Sequence, residues 1–176
     1  MVDFSSVRAI DFHTHAEESC GCHADDGYDD LQSTMAKYFG APWSHPPTIP
    51  ETAAHYREHN IAAVIFPVDA ERETGYRRYS NYEVADLCAE HSDILIPFAS
   101  IDPAKGKIGA REARDLVENH GVQGFKFHPT MQGFYPNDRS AYTLYEAIAE
   151  TGKPALFHTG QTGVGSGMKG GNGMRL

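Results

Sequence analysis

The sequence predicts an α/β protein of the (β/α)8 TIM-barrel type, of which about five βα units are present. Short apolar runs alternate with helical patterns, which is typical of a parallel sheet with right-handed crossovers. Histidines stand at the ends of several runs, as catalytic residues do at the C-terminal face of a barrel. An open doubly wound sheet competes with this architecture. Its dinucleotide-binding form needs a G-x-G-x-x-G after the first strand, and the sequence has none there.

Apolar runs mark the expected strands of the sheet. The run IAAVIFPV is apolar throughout, which is typical of a strand buried on both faces by flanking helices. The first, fourth and fifth runs each end in a histidine. The expected strands are Val7–His13, Ile61–Val68, Ile94–Ile101, Val122–His128 and Lys153–His158.

The helices between the strands are predicted from their end signals. Thr48–Glu51 and Ser80–Glu83 each have the form of a capping box, the first with a proline inside its first turn. Tyr145 and Ile148 are expected on the inner face of the fourth helix. The other expected boundaries are helix ends near Asn60, His91, Gly121 and Gly152, and a start of the fourth helix at Asn137.

The chain is shorter than a complete barrel. It has 176 residues, whereas eight βα units need about 250. The fifth strand is followed by a segment with seven glycines between Gly160 and Gly173. We therefore expect residues 1–176 to be a single barrel domain that stops after the fifth strand, and the chain to be a piece of a longer protein. Uncovered apolar strand edges favour association, with a homodimer as its simplest form.

Composition excludes several classes of partner. The net charge is −9 and no run of Lys or Arg forms the basic stripe that nucleic-acid binding needs. No apolar stretch approaches the roughly 18 residues of a membrane span, and the N-terminus lacks the pattern of a signal peptide. The cysteines, Cys20, Cys22 and Cys88, are too few for a disulfide framework and fit a reducing cytoplasm.

The motif DFHTH is the sharpest chemical signal. Side chains two residues apart on a strand share a face, so His13 and His15 project together and suit one divalent metal. Asp11, on the same face, is a candidate to orient a ligating histidine. His158, ending the fifth strand, is the predicted third ligand and leaves coordination positions open for water or substrate. The alternatives are surface histidines leaving a strand and, for His158, a polar cap on a buried strand.

Lys126 and His128, in GFKFHPT, share a face at the end of the fourth strand. Lys126 is a candidate for a carboxylated bridging ligand or for a contact with a substrate carboxylate, and His128 for a substrate contact. The alternative is a lysine at the edge of the core and a structural histidine before Pro129. We assign both residues to substrate binding and neither to the metal.

The remaining candidates are interpreted as structural. Cys20-Gly-Cys22-His23, with Asp25 and Asp26 nearby, resembles a small metal cluster, but no second cysteine pair completes a tetrahedral site. A solvated loop over the barrel mouth is the favoured interpretation. Five further histidines lie in a loop or on helices, the last three near helix C-termini where the helix dipole suits a cation: His45, His55, His59, His91 and His120.

Five motifs are specific in combination: AIDFHTH, IAAVIFPVDAE, PFASIDP, GFKFHPTMQGFYPND and ALFHTGQTG. Over nearly the whole chain they resemble the amidohydrolase-related family (amidohydrolase family 2), which includes hydrolases and non-oxidative decarboxylases. Within the family, they look closest to hydroxyphenyl-β-ketoacyl-CoA hydrolases. The resemblance implies a TIM barrel of the metal-dependent hydrolase type.

The resemblance also implies a mononuclear divalent metal, usually zinc, held by the H-x-H pair, a fifth-strand histidine and an eighth-strand aspartate. The first three correspond to His13, His15 and His158. The aspartate and a sixth-strand catalytic histidine would lie beyond Leu176, so the resemblance implies that the 176-residue piece lacks part of the catalytic set.

We expect the complete protein to be a hydrolase in which metal-activated water attacks a small carbonyl- or carboxylate-bearing substrate. A metal-dependent decarboxylase of the same family and an inactive fragment of a barrel are the alternatives.

Overall fold

The structure, a computed structural model, describes residues 1–17, 33, 36–37, 40 and 46–159. The Cys20–His23 cluster with Asp25 and Asp26, His45 and the Gly-rich segment from Gly160 onward lie outside the described residues. Within the described part of the chain, no helix is long and apolar enough to cross a membrane.

One parallel sheet organises the fold, with strands in the order β1-β2-β3-β4-β5, so that each strand pairs with its neighbours in sequence. The strands are β1 (Ala9–His15), β2 (Ile61–Phe66), β3 (Leu95–Ala99), β4 (Gly124–Phe127) and β5 (Ala155–Phe157). A doubly wound sheet would reverse this order at a switch point, whereas a barrel keeps it. The structure therefore confirms the predicted fold class as five units of a TIM barrel.

The strand ends differ from the predicted ones by a few residues. β1 continues to His15, so both histidines of the H-x-H pair lie inside the strand. β4 ends at Phe127, because the backbone N–H of His128 donates to the side chain of Gln132 instead of to a neighbouring strand. β2 ends at Phe66, directly before Pro67, which has no N–H to donate.

Within residues 1–17 and 46–159, the α-helices cover one face of the sheet or form part of its loops. They are α1 (Ile49–His59), α2 (Glu71–Thr74), α3 (Asn81–Glu90), α4 (Gly106–Asn119), α5 (Pro129–Gln132) and α6 (Tyr142–Glu150). The capping box at Thr48 is complete, and Ser80 caps α3 by accepting from Glu83 N. Gly121 and Gly152 adopt positive φ after α4 and α6, as predicted for helix ends. His59, His91 and His120 stand at helix C-termini.

The predicted start of the fourth main helix at Asn137 was wrong. A 3-10 turn at Arg139–Ala141 precedes the α-helix, which begins at Tyr142. The reason is that the carboxylate of Asp138 accepts from the backbone N–H of Tyr135, which closes a turn before the helix. Ile148 is buried and Tyr145 packs against the same core, as expected for the inner face. The short helices α2 and α5 were not predicted.

The sheet has two differently covered faces. Phe125 and Phe127 point towards the helices and join a core that includes Leu116 and Leu144. The opposite face carries a smaller apolar cluster of Val64, Phe66 and Phe98, packed with Ile10, Ile96 and Leu156. A cavity of about 490 Å³ opens on this face, with Ile10, Phe12 and Val64 among its lining residues. Phe12 is 54% exposed there. This face is the one that would line the inside of a closed barrel.

Candidate metal and substrate site

The chemically active side chains meet at the C-terminal ends of β1, β4 and β5. We call them the mouth cluster, defined as His13, His15, Lys126, His128 and His158. The five side chains form one electrostatic unit, because Lys126 lowers the pKa of each of the four histidines. The structure thus places all the residues that the sequence proposed for metal and substrate at the same end of the sheet.

The H-x-H pair converges on one point. The Nε2 atoms of His13 and His15 are 3.1 Å apart. Two imidazole ligands of one tetrahedral metal, each about 2.0–2.1 Å from it, would hold their nitrogens about 3.3 Å apart. Both rings contact Phe66, with centroid distances of 5.6 Å and 5.0 Å. The separation is within hydrogen-bond distance and is also close to the one that two ligands of a single ion would have, and Phe66 forms the apolar side of the pair.

The Asp11 carboxylate contacts the backbone of His13 and the side chain of Tyr56. Its Oδ1 accepts from the backbone N–H of His13 at 2.8 Å, and its Oδ2 accepts from the hydroxyl of Tyr56 at 2.6 Å. In the described part of the chain, no hydrogen bond joins this carboxylate to an imidazole ring. The register of β1 against β2 shifts between Asp11 and Thr14, which breaks the strict alternation of side chains along the strand.

His158 offers an open nitrogen. Its Nε2 is buried and has no hydrogen-bond partner among the described residues. Its backbone N–H donates to Phe127 O at 2.9 Å, which fixes the residue beside β4. Burial, Lys126 and His13 lower its pKa, so the ring is neutral at neutral pH. A neutral, buried and unpartnered imidazole nitrogen is the form in which histidine binds a metal.

His128 is held as a hydrogen-bond donor. The side chain is 4% exposed, and its ring stacks on that of His158 at a centroid distance of 4.1 Å. Its Nδ1 accepts from the backbone N–H of Met131 at 3.3 Å. Burial, together with His158, lowers its pKa to about 3, so the ring is neutral. A neutral ring whose Nδ1 accepts carries its proton on Nε2. This tautomer suits a substrate contact better than a metal bond.

Lys126 is a buried cation. The residue is 1% exposed, and its Nζ lies 5.0 Å from the centroid of the Phe66 ring. No carboxylate among the described residues forms an ion pair with it. Burial lowers its pKa to about 8, which still leaves it mostly protonated at pH 7. The site therefore presents a positive charge that the described residues do not neutralise.

The donor set fits a divalent metal in its chemistry, although the side chains are not preassembled. Within residues 1–17 and 46–159, no three His, Cys, Asp or Glu side chains are placed closely enough to hold an ion together. His13 and His15 converge, and the open Nε2 of His158 belongs to the same electrostatic unit. Burial lowers the pKa of His15 to about 4, which keeps that ring in the neutral, metal-binding form.

Several residues that shape the mouth cluster gave no signal in the sequence. Tyr56 reaches the H-x-H strand from α1, and Gln132 ties the loop of His128 to neighbouring loops. Phe66 supports three members of the cluster from β2. Each looks in sequence like an ordinary core or loop residue, and only the tertiary structure places it against the site.

Solved structures similar to this fold include an amidohydrolase and decarboxylases. A 5-carboxyvanillate decarboxylase from Novosphingobium aromaticivorans, with bound manganese and 3-methoxy-4-hydroxy-5-nitrobenzoic acid, is 15% identical with a TM-score of 0.55 over 89% of this chain. An amidohydrolase II is 16% identical with a TM-score of 0.59 over 87% of this chain. A 2,6-dihydroxybenzoate decarboxylase, complexed with 2,6-dihydroxybenzoate, is 14% identical with a TM-score of 0.52 over 87%.

This chain spans about half the length of those proteins, 51% in each case. At such low identity the likeness establishes the fold. No curated protein sequence matches the chain. The sequence profile of the amidohydrolase family matches residues 10–174, which is nearly the whole sequence. The chain therefore belongs to the amidohydrolase family.

Proposed function

We propose that this chain carries the metal- and substrate-binding residues of a metal-dependent decarboxylase of small carboxylic acids. The observation that carries the proposal is Lys126, a buried ammonium group with no ion pair among the described residues. A buried charge is costly unless it is paired. A substrate carboxylate supplies the missing partner, and it is the group that decarboxylation removes.

Two side chains bind and orient the substrate in this proposal. The Lys126 ammonium pairs with the carboxylate, and the Nε2–H of His128 donates a second hydrogen bond to a substrate oxygen. His128 is preorganised for this, because stacking on His158 and the bond from Met131 fix its ring. Two of the similar structures are decarboxylases of aromatic carboxylic acids, which supports the substrate class.

The metal ligands proposed are His13, His15 and His158. When bound, a divalent ion there would supply Lewis-acid polarisation of a substrate oxygen and acidify bound water. Three imidazoles are a donor set typical of zinc. Manganese is the ion bound by one of the similar structures. We propose a divalent ion, with zinc favoured by the donors.

Hydrolysis is the second candidate, because neutral imidazoles that leave coordination positions open also suit the activation of water. The similarity of the motifs to hydroxyphenyl-β-ketoacyl-CoA hydrolases favours a carbonyl substrate for this reaction and stays a prediction. Both candidates need the same metal ligands. They differ in whether the substrate loses carbon dioxide or gains water.

We also propose that residues 1–176 belong to one barrel domain that further βα units complete. The apolar inner face of the sheet, with Phe12 exposed, supports this proposal. Strands added beside the edge strands β1 and β5 would close the sheet into a barrel and bury this inner face. Association of two copies is the alternative way to bury the same surface.

Reaction products separate the two candidate activities. The complete protein, with the further βα units proposed above, is loaded with zinc or manganese and incubated with aromatic carboxylic acids, including 5-carboxyvanillate and 2,6-dihydroxybenzoate, and carbon dioxide is measured. We expect release with at least one acid and its loss after metal depletion. Hydrolysis of β-ketoacyl thioesters without carbon dioxide release would favour the second candidate. Activity that is unchanged by metal depletion would contradict both.

Replacing Lys126 by methionine tests the carboxylate contact. A hydrogen bond to a charged group contributes about 1.5–3 kcal/mol, so KM for a carboxylate substrate should rise about 10- to 100-fold. Methionine keeps much of the apolar stem, and replacing a buried charge by an apolar group is often neutral for stability. The matched control is Lys153→Met, because Lys153 binds Gln123 away from the mouth cluster. Equal KM values for K126M and the wild type would rule out the proposed contact.

A further inference from the structure

The first strand is bulged where it carries the H-x-H pair. Asp11 pairs with Ala63 and Thr14 with Ile65, so Phe12 and His13 stand opposite the single residue Val64. A bulge leaves a residue without its ladder partner and re-aims its side chain. Here the backbone N–H of His13 is satisfied by Asp11 Oδ1 instead. The direction of the His13 ring therefore depends on how the bulge is held.

Tyr56 holds the bulge from both sides. Its hydroxyl donates to Asp11 Oδ2 at 2.6 Å, before the bulge. The same oxygen lies 2.8 Å from Thr14 Oγ1, after the bulge. Because the tyrosine proton is given to Asp11, Thr14 is the donor in this second bond. One hydroxyl from α1 thus ties together the residues that flank His13.

The ring of Tyr56 is fixed independently of these bonds. It packs against the core between α1 and the sheet, which includes Ile49, Ala53 and Ile65. The hydroxyl is therefore presented to the bulge by a rigid support. Asp11 and Thr14 both reach it although they are three residues apart in sequence, which regular alternation along a strand would not allow.

We propose that Tyr56 is a positioning residue for the metal site, whose hydroxyl closes the bulge of β1 and so keeps His13 converged with His15. The inference rests on the proposed metal ligands and adds a residue that touches neither metal nor substrate. Residues that orient metal ligands typically change metal affinity 10- to 100-fold when they are replaced. Removal of one hydroxyl should therefore be visible in metal binding.

The test is Tyr56→Phe, which removes the hydroxyl and keeps the packed ring. The matched control is Tyr82→Phe, because the Tyr82 hydroxyl donates to the Asp115 carboxylate at 2.9 Å on the other side of the fold, between α3 and α4. Thr14→Val removes the second bond to Tyr56 and is the backup variant. For each full chain we would measure the unfolding of the metal-free protein, the affinity for Zn²⁺ by chelator competition, and the visible spectrum with Co²⁺.

We expect Y56F to bind Zn²⁺ about 10- to 100-fold more weakly and to alter the Co²⁺ spectrum, with T14V changed in the same direction and Y82F like the wild type. Equal Zn²⁺ affinity and Co²⁺ spectrum for Y56F and the wild type would overturn the inference. So would equal weakening in Y56F and Y82F, which would indicate only a general loss of stability. A wild-type chain that binds no metal would instead overturn the proposed metal site, which separates the two failures.

Discussion

Replacing His15 by alanine is expected to weaken the binding of a divalent metal by about 100- to 1000-fold. Zinc sites with four ligands bind with about 10–16 kcal/mol, so each ligand contributes about 2.5–4 kcal/mol. His15 is the better shielded member of the H-x-H pair and is packed edge-on against Phe66 at 5.0 Å. Its low pKa, about 4, means that little proton competition opposes metal binding at neutral pH. Affinity would be measured by chelator competition with Zn²⁺.

The control for this substitution is His59→Ala. His59 ends α1, and its Nδ1 contacts His55 O, away from the mouth cluster. The His59→Ala substitution should leave the affinity for Zn²⁺ within about twofold of the wild type, because a surface substitution usually changes free energies by no more than about 0.5 kcal/mol. A His15→Ala protein that bound Zn²⁺ as tightly as the His59→Ala protein would show that the H-x-H pair is not the metal site.

Replacing Gln132 by leucine is expected to lower the free energy of unfolding by about 2–6 kcal/mol, because two buried backbone groups lose their partner and each such loss costs about 1–3 kcal/mol. The Gln132 side chain is fully buried. Its Oε1 accepts from His128 N at 2.8 Å, and its Nε2 donates to Asp69 O at 3.1 Å. One amide thus joins the loops that follow β2 and β4. Denaturant unfolding of the metal-free protein measures the effect.

Gln123→Leu is the matched control. Gln123 is partly exposed, and its amide bonds Gly121 O and Lys153 near the opposite end of the sheet. Its replacement should change stability by less than about 0.5 kcal/mol. If the two leucine variants were equally stable, the loops of the mouth would not depend on the Gln132 amide.

The sheet could be predicted because its signal is local and strong. The residues around Val64 and Ile65 are apolar without alternation, which is typical of a strand that is buried on both faces of a parallel sheet. The helix starts at Thr48 and Ser80 depend on side-chain contacts within one turn, so residues close together in sequence predict them as well. The ends of strands are harder to predict, because they depend on which group the backbone bonds. The backbone N–H of His128, for example, donates to the side chain of Gln132 and not to a neighbouring strand.

The residues of the candidate site could be predicted from the sequence, but the side chains that hold them in place could not. His13, His15 and His158 follow from position at strand ends, a rule of the barrel architecture. The bulge of β1 depends on Tyr56, which is 45 residues from Asp11 in sequence and meets it only in the folded chain. Asp11 was singled out as a residue that could orient a histidine ligand, but its contacts with the backbone N–H of His13 and with Tyr56 could not be read from the sequence. The metal and substrate roles of the mouth cluster stay predictions.

The most direct test of the metal site is anomalous diffraction from crystals of the full chain soaked with Zn²⁺ or Mn²⁺. The proposal predicts one strong peak about 2.0–2.2 Å from Nε2 of His13, His15 and His158. A peak bound by other residues, or no peak at the ends of β1 and β5 in crystals that contain the metal, would contradict the central claim.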